Sequence, residues 1–230
     1  MPRLEDMKVD AGTISRLFPA GVSVRIAMSP TGLDSLFPQE AVLVANANAG
    51  RRGEFAAGRA AARAALARLG APPGPILRGP LRAPLWPEGF VGSITHCRGF
   101  ACAVAARSRD LRSIGVDAED AGPLEESLVR LVCAPDERDH FSRLPGPPAG
   151  HWAKLAFSAK EAFYKCLQPV TGDRPDFLDM SVRFSPAPDG DTGRYRIRLI
   201  RTGAAPAAPR MSGRWAVRGD RLYTGAALLD

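Results

Sequence analysis

Residues 152–167 carry the pattern that most restricts how this chain folds. Trp152, Leu155, Ala156, Ala159, Ala162, Phe163, Cys166 and Leu167 recur at spacings of three and four. That is one apolar stripe on an α-helix. Lys154, Ser158, Glu161 and Lys165 fall on the opposite face, and Pro169 is expected to end the helix. Such a stripe needs an apolar surface to lie on, and strand-like runs supply one. Residues 90–95 and 100–106 read as a hairpin turning at Arg98-Gly99, and 113–119 as a third strand. Further strands are expected at 180–184, 194–201, 213–218 and 221–228. Arg196 and Arg198 alternate with Ile197 and Leu199, so one face of that strand is wet.

The first part of the chain reads as short β-like runs alternating with turns, with a strand at 22–28. Residues 40–48 and 51–70 read as helical, and Gly70 followed by Pro72-Pro73 stops the second of them. A Pro- and Gly-rich loop covers 71–89. Helices at 124–131 and 135–144 precede a loop at 145–150. Strands and helices in both halves place the chain in the α+β class. At 230 residues it is one large domain or two small ones, and no repeat is visible.

Composition removes several classes. With 45% hydrophobic and 24% charged residues the chain is an ordinary soluble one, and no run approaches ~18 apolar residues, so no membrane span is expected. Glu5, Asp6 and Asp10 near the start, with no apolar run, argue against a secretory signal. Cys97, Cys102, Cys133 and Cys166 lack paired spacing. They read as reduced thiols of a cytoplasmic protein rather than zinc ligands or disulfides.

The net charge of +7 is unevenly placed. Residues 1–112 hold 15 Lys and Arg against 8 Asp and Glu, whereas 113–230 hold 16 of each. Seven arginines (Arg51, Arg52, Arg59, Arg63, Arg68, Arg78, Arg82) face only Glu54 and Glu88 between residues 46 and 90. That patch suits phosphates, nucleic acid or an acidic protein, and equally a solvated helix in an Arg-rich chain. Lysine is rare by contrast. Of four lysines against 27 arginines, three (Lys154, Lys160, Lys165) lie within twelve residues. Those are positions where a planar guanidinium substitutes poorly for a compact ammonium.

Asp117 and Glu119, at i and i+2 on a strand, share a face and repel unless a cation or proton intervenes. Alone they also read as solvated acids at a strand end, continued by Asp120. Glu161 and Lys165, at i and i+4, alone read as a surface ion pair. Together, three carboxylates suit Mg²⁺, which takes hard oxygen ligands and completes its shell with water and substrate phosphates. His96, after Gly92-Ser93 and Thr95, reads as a structural histidine or as a partner for a phosphate. No P-loop or dinucleotide fingerprint is present, so neither ATP nor NAD chemistry is indicated.

Two segments resemble the signatures of the 4'-phosphopantetheinyl transferases of the larger, Sfp-like kind, in the enterobactin synthetase component D subgroup. They are Ile114-Gly115-Val116-Asp117-Ala118-Glu119 and Phe157-Ser158-Ala159-Lys160-Glu161-Ala162-Phe163-Tyr164-Lys165. The resemblance extends to residues 51–59, 82–87, 92–97 and 177–179, and covers roughly 17–228. It implies a monomer of two similar α/β halves related by pseudo-twofold symmetry, residues 1–112 and 113–230, with coenzyme A in the cleft between them. It implies that Asp117, Glu119 and Glu161 hold Mg²⁺. Lys165 would touch the transferred phosphate, and Arg52, Arg59, Arg82, Thr95 and His96 the phosphates and nucleotide end. It further implies that Glu161 takes the proton of a carrier serine, and that acidic apo carrier proteins dock beside the cleft, with a lean toward siderophore or nonribosomal peptide carriers. A Mg²⁺-dependent phosphohydrolase of coenzyme A or a nucleotide would use the same acids. A basic nucleic-acid module would explain the arginines but not the acids, and no aromatic residues interleave with the arginines for stacking. Nucleic acid is therefore not expected as a partner.

Overall fold

The computed structural model describes residues 4–28, 31–146, 151–200 and 211–229. Helix α1 (Leu4–Ser15) leads into strand β1 (Ser23–Met28), a short helix α2 (Pro38–Val42) and a long one, α3 (Ala49–Ala67). After a loop come β2 (Phe90–Cys97), β3 (Phe100–Arg107) and β4 (Ser113–Asp120). Helices α4 (Glu126–Val132), α5 (Pro135–Phe141) and α6 (Trp152–Thr171) follow, then β5 (Met180–Pro186), β6 (Thr192–Leu199), β7 (Met211–Arg218) and β8 (Arg221–Leu228). Among the described residues no helix is long and apolar enough to cross a membrane.

Local chemistry accounts for most boundaries. Asn48 caps α3 by accepting from the Arg51 amide at 2.8 Å. Gly99 sits at φ 69° in the β2–β3 turn, where the left-handed backbone costs a glycine little. Two expectations need correction. Residues 4–15 are helical rather than β-like. Pro169 does not end α6: the helix runs on to Thr171 and stops at Gly172, which adopts the left-handed cap at φ 72°. A proline this near the C-terminus forfeits one bond, to the carbonyl of Lys165, and the amide of Gly172 still closes the last turn on the Gln168 oxygen at 2.9 Å.

The strands form two antiparallel sheets, in the orders β1-β3-β2 and β4-β8-β7-β6-β5. Helix α3 lies across the first and α6 across β4 and β8 of the second. All eight stripe residues of α6 are buried. All but Ala162 pack with Val182, Phe184, Tyr195, Ile197 and Trp215 in one core. Helix and strand approach so closely that a Cβ on Gly115 would run into the Ala162 carbonyl oxygen. A second core joins the two sheets, combining Val104 and Phe100 of β3, Ile114 and Val116 of β4, and Ile14 of α1. Where β2 meets β4 the link is made by side chains. Ser93 Oγ accepts from the Val116 amide and Thr95 Oγ1 from the Ala118 amide, each at 3.1 Å.

The two halves repeat a device that the sequence hides. Each short helix, α2 and α5, opens with proline and carries a wholly buried glutamate at its third position, Glu40 and Glu137. Each glutamate accepts from the amide that precedes its helix, that of Phe37 or of Ala134. Each also accepts a backbone amide beyond the long helix, Ile76 at 2.9 Å and Val182 at 2.7 Å. Each is neutralised from the long helix, by Arg63 of α3 at 2.6 Å and by Lys160 of α6 at 2.8 Å. Both halves thus lock a short helix, a long helix and the following chain around one carboxylate.

The same α5 covers the free edge of β5. His140 Nε2 accepts from the Phe184 amide at 3.1 Å, which requires the neutral ring. Burial lowers the His140 pKa, and Arg183 lowers it further. A lowered folded value gives stability that is present above the unfolded pKa, ~6.5, and is lost as pH falls through the folded value. His140→Gln keeps an acceptor that does not titrate. Its urea midpoint should therefore fall less steeply than that of the unchanged protein as the buffer is taken below pH ~6.5; parallel profiles would remove His140 from this role.

Candidate active site

Alternation along β4 points Asp117 and Glu119 to the side on which α6 lies, and α6 presents Lys154, Glu161 and Lys165 there. Lys165 Nζ donates to Asp117 Oδ1 at 2.6 Å and to the Val116 carbonyl at 3.3 Å. Lys154 Nζ pairs with Glu119 Oε2 at 3.0 Å. Ser158, the fourth residue of that helix face, is fully buried and clamps α6 to β8, its hydroxyl 2.8 Å from Thr224 Oγ1. Thr224 is itself the cross-strand partner of Asp117. The carboxylate and the helix that faces it are therefore held by the same pair of strands.

Charge in this group is only partly balanced. Burial raises the Glu161 pKa; Lys165 pulls it down, and Asp117 and Glu119 push it up again. Burial also raises that of Glu119, with Asp117 adding to it and Lys154 opposing. For Lys165, burial works against the ammonium, but Asp117, Glu161 and Glu119 outweigh it and the net shift is upward. Asp117 is 4% exposed, and its second oxygen, Oδ2, is buried without a hydrogen-bond partner. Among the described residues no three His, Cys, Asp or Glu side chains are gathered into a metal cage. Two of the three acids instead hold lysines. The orphaned Asp117 oxygen and the mutual repulsion of the acids fit a hard cation nonetheless, one whose shell is completed by water and a phosphate rather than by protein alone.

Lys165 also lines a cleft of about 400 Å³ between the halves. The N-terminal half contributes Arg51, Arg59, Arg78, Arg82 and His96, and α6 contributes Tyr164, Lys165 and Gln168. Arg59 is 5% exposed, with its Nε unpartnered. Burial pulls its pKa down to about 10, Glu40 opposes this, and Arg78, Arg63 and Arg51 add to it. Its guanidinium lies 4.4 Å from the Phe55 ring centre, and that of Arg78 lies 5.8 Å from the same centre. His96 Nε2 is 2.5 Å from an Arg51 nitrogen, and its Nδ1 is 3.7 Å from Glu54. Burial and then Arg51 lower its pKa. Arg82 and Leu81 hold φ of 66° and 52°, a strained backbone of the kind that gathers at ligand sites. Crowded guanidiniums with an unpartnered buried nitrogen suit this end of the cleft to an anion.

The sequence reading chose some of these residues and not others. Arg59, Arg82 and His96 line the cleft. Arg52 does not: it lines a separate shallow pocket with Leu33, Leu36 and Val42. Thr95 lies beneath the acids, where its hydroxyl donates to Asp117 Oδ1 at 3.0 Å, so it orients that carboxylate. Arg51 and Arg78, which the sequence shows only as members of the arginine patch, also line the cleft. Helix phase does not separate Arg51 from Arg52, since position 52 is turned only about 20° from Arg59 and position 51 about 80°; the contact of Arg51 with His96 is a tertiary one. Arg78 sits in an irregular loop, where no periodicity marks it.

All four cysteines are free. Burial pushes Cys97 and Cys166 up to about 12, which makes them poor nucleophiles.

Comparison with known proteins matches both halves of the chain. The family described as 4'-phosphopantetheinyl transferase N-terminal domain matches residues 39–106, and the 4'-phosphopantetheinyl transferase superfamily matches residues 113–210. The chain is 44% identical over 197 residues to 4'-phosphopantetheinyl transferase Svp of Streptomyces mobaraensis, covering 84% of this chain and 78% of that one. It is 38% identical over 223 residues to 4'-phosphopantetheinyl transferase PptT of Mycobacterium tuberculosis, covering 94% and 97%. Enterobactin synthase component D of Salmonella typhi is 42% identical over 119 residues, about half of each chain.

Proposed function

This chain belongs to the 4'-phosphopantetheinyl transferase family, and on that premise we propose that it moves the 4'-phosphopantetheine arm of coenzyme A to a serine of an apo carrier protein, with Mg²⁺, releasing 3',5'-ADP. The observation that carries this reading is the continuity of the cleft. Arg59, its Nε unpartnered, stands at one end, and Lys165 links the cleft to the acids through the buried Asp117.

Asp117, Glu119 and Glu161 would hold the metal, whose bound charge offsets that of the pyrophosphate. The chain's own groups divide the remaining work. Arg51, Arg59, Arg78, Arg82 and His96 bind and orient the phosphates of the nucleotide end. Thr95 fixes the aim of Asp117. Glu161 accepts the serine proton, directly or through a water. The serine oxygen then forms a bond to the phosphorus that bears pantetheine, and the bond from that phosphorus to the bridging oxygen of 3',5'-ADP breaks. Lys165 moves its ammonium onto the transferred phosphoryl oxygens, where negative charge gathers. Arg174 and Phe177 line a shallow pocket together with Glu161, and Leu178, next to Phe177, and Leu131 of α4, which packs on that turn, are 47% and 62% exposed. An acidic carrier helix with an apolar face suits that rim. Carriers of siderophore or nonribosomal peptide assembly are the preferred class, since enterobactin synthase component D is among the relatives. The division at residue 112 separates a phosphate-holding half from a catalytic half. Each chain carries a complete cleft, so the enzyme acts as a monomer, in the cytoplasm.

Release of 3',5'-ADP from coenzyme A should require both Mg²⁺ and an apo carrier; release that proceeds without carrier would make the protein a hydrolase. Arg59→Ala and His96→Ala should each raise KM for coenzyme A by more than they raise it for 3'-dephospho-coenzyme A, with kcat changed less. Equal losses on the two substrates would move these residues off the 3'-phosphate.

A further inference from the structure

The face of the second sheet turned away from α6 carries an array of arginines that the cleft does not use. Outward positions alternate along β6 as Arg194, Arg196 and Arg198, all exposed, while Tyr195 and Ile197 between them are buried in the core. The register sets like charges directly opposite one another: Arg183 faces Arg196, and Arg194 faces Arg214. Cross-strand pairs of one sign weaken a sheet, yet two adjacent ladders here contain one. Relief within the described residues is limited. Asp136 pairs with Arg183 at 2.5 Å, and Arg214 donates to the Arg16 carbonyl at 3.1 Å. Arg194, Arg196 and Arg198 form no salt bridge among the described residues.

We propose that this face is a docking surface for a short acidic segment of polypeptide, separate from the cleft and independent of the reaction assigned to it. The chemistry of the face selects that occupant. Guanidiniums match carboxylates two bonds at a time. Ser185 and Ser212, both exposed, are placed opposite Arg194 and Arg196 by the register, while Ser181, opposite Arg198, is buried. With no aromatic residue among these positions there is no platform for unpaired bases, and with no apolar one there is no wedge for a lipid surface. The array is also small. Arg194 to Arg198 spans about 13 Å of strand, and β5 to β7 about 10 Å across the sheet. Asp136 lies at its β5 edge, and Asp189 and Asp191 lie in the β5–β6 turn. Acids on its border exclude a long polyanionic rod and leave room for a few carboxylates.

The test compares the full chain with R194S/R196S/R198S and with the charge-keeping R194K/R196K/R198K. Binding is read by anisotropy with a labelled Glu/Ser peptide, a short DNA duplex and phosphatidylserine vesicles. The unchanged protein should bind the peptide best, more weakly as salt is raised. The serine variant should lose about tenfold in affinity and the lysine variant only a small part of that. Transfer to an isolated carrier domain should be the same in all three, which also establishes that the variants fold. Equal peptide binding by the unchanged protein and the serine variant would overturn the proposal. So would tighter binding of duplex or vesicles than of peptide. The transfer reading is judged by the carrier assay alone, so neither result is confused with its failure.

Discussion

Lys160→Met is expected to lower the free energy of unfolding by ~3–5 kcal/mol, the scale seen when one member of a buried ion pair is removed. Lys160 is wholly buried and its ammonium serves three acceptors: the Val132 carbonyl at 2.7 Å, Glu137 Oε2 at 2.8 Å and the Phe177 carbonyl at 3.0 Å. These belong to α4, to α5 and to the turn before β5, so one side chain ties three segments to α6. Methionine fills the volume but leaves Glu137 with an uncompensated buried charge and two carbonyls unpaired. Arginine should recover little, because its planar head is too large for a three-acceptor socket shaped for an ammonium. Urea denaturation checks this directly. A loss under ~1 kcal/mol would mean that the socket relaxes or fills with water.

The second large effect falls on turnover. Lys165→Met should lower kcat by roughly 10²–10³, as expected on losing one group that stabilises charge in the transition state. The structure offers a simpler role to weigh against this, since Lys165 already neutralises Asp117 at 2.6 Å. The two roles separate in the rescue. A lysine that only balances Asp117 would be replaced adequately by arginine. One that must also reach the phosphoryl group from beneath the cleft would not. Steady-state kinetics of Lys165→Met and Lys165→Arg with saturating carrier decide it, and near-normal turnover in either variant would leave the acids as the only catalytic groups.

Much of this architecture is legible in the sequence where local pattern and final environment agree. The α6 stripe names its buried residues because a 3.6-residue period and a sheet on one side are the same constraint seen twice. The hairpin at Arg98-Gly99 is legible because only that dipeptide suits the turn between two apolar runs. The failures are equally physical. Among the described side chains of α1, Ile14 near its C-terminal end is the large apolar one in the core, and the mix of acids and small residues around it leaves the period faint. Pro169 misleads because a proline's cost depends on how many turns follow it. Lys160 stands out in the sequence only as a lysine that arginine replaces poorly; its partner Glu137, 23 positions away, is not visible there. The repeat built on Glu40 and Glu137 escapes inspection because one copy uses Arg63 and the other Lys160, so that only the shared separation of 23 residues betrays it. The contacts of Asp117 with Lys165 and of Glu119 with Lys154 join residues that sequence spacing had already set apart, whereas the place of Arg51 in the cleft and of Arg52 outside it depends on tertiary packing that helix phase does not reveal.

Intact-mass spectrometry of an apo carrier protein incubated with this enzyme, coenzyme A and Mg²⁺ tests the central claim most directly. The carrier should gain one phosphopantetheine on its serine, with one 3',5'-ADP released per carrier, and neither should appear with Asp117→Ala. A carrier of unchanged mass while coenzyme A is consumed, or full modification by Asp117→Ala, would contradict the account.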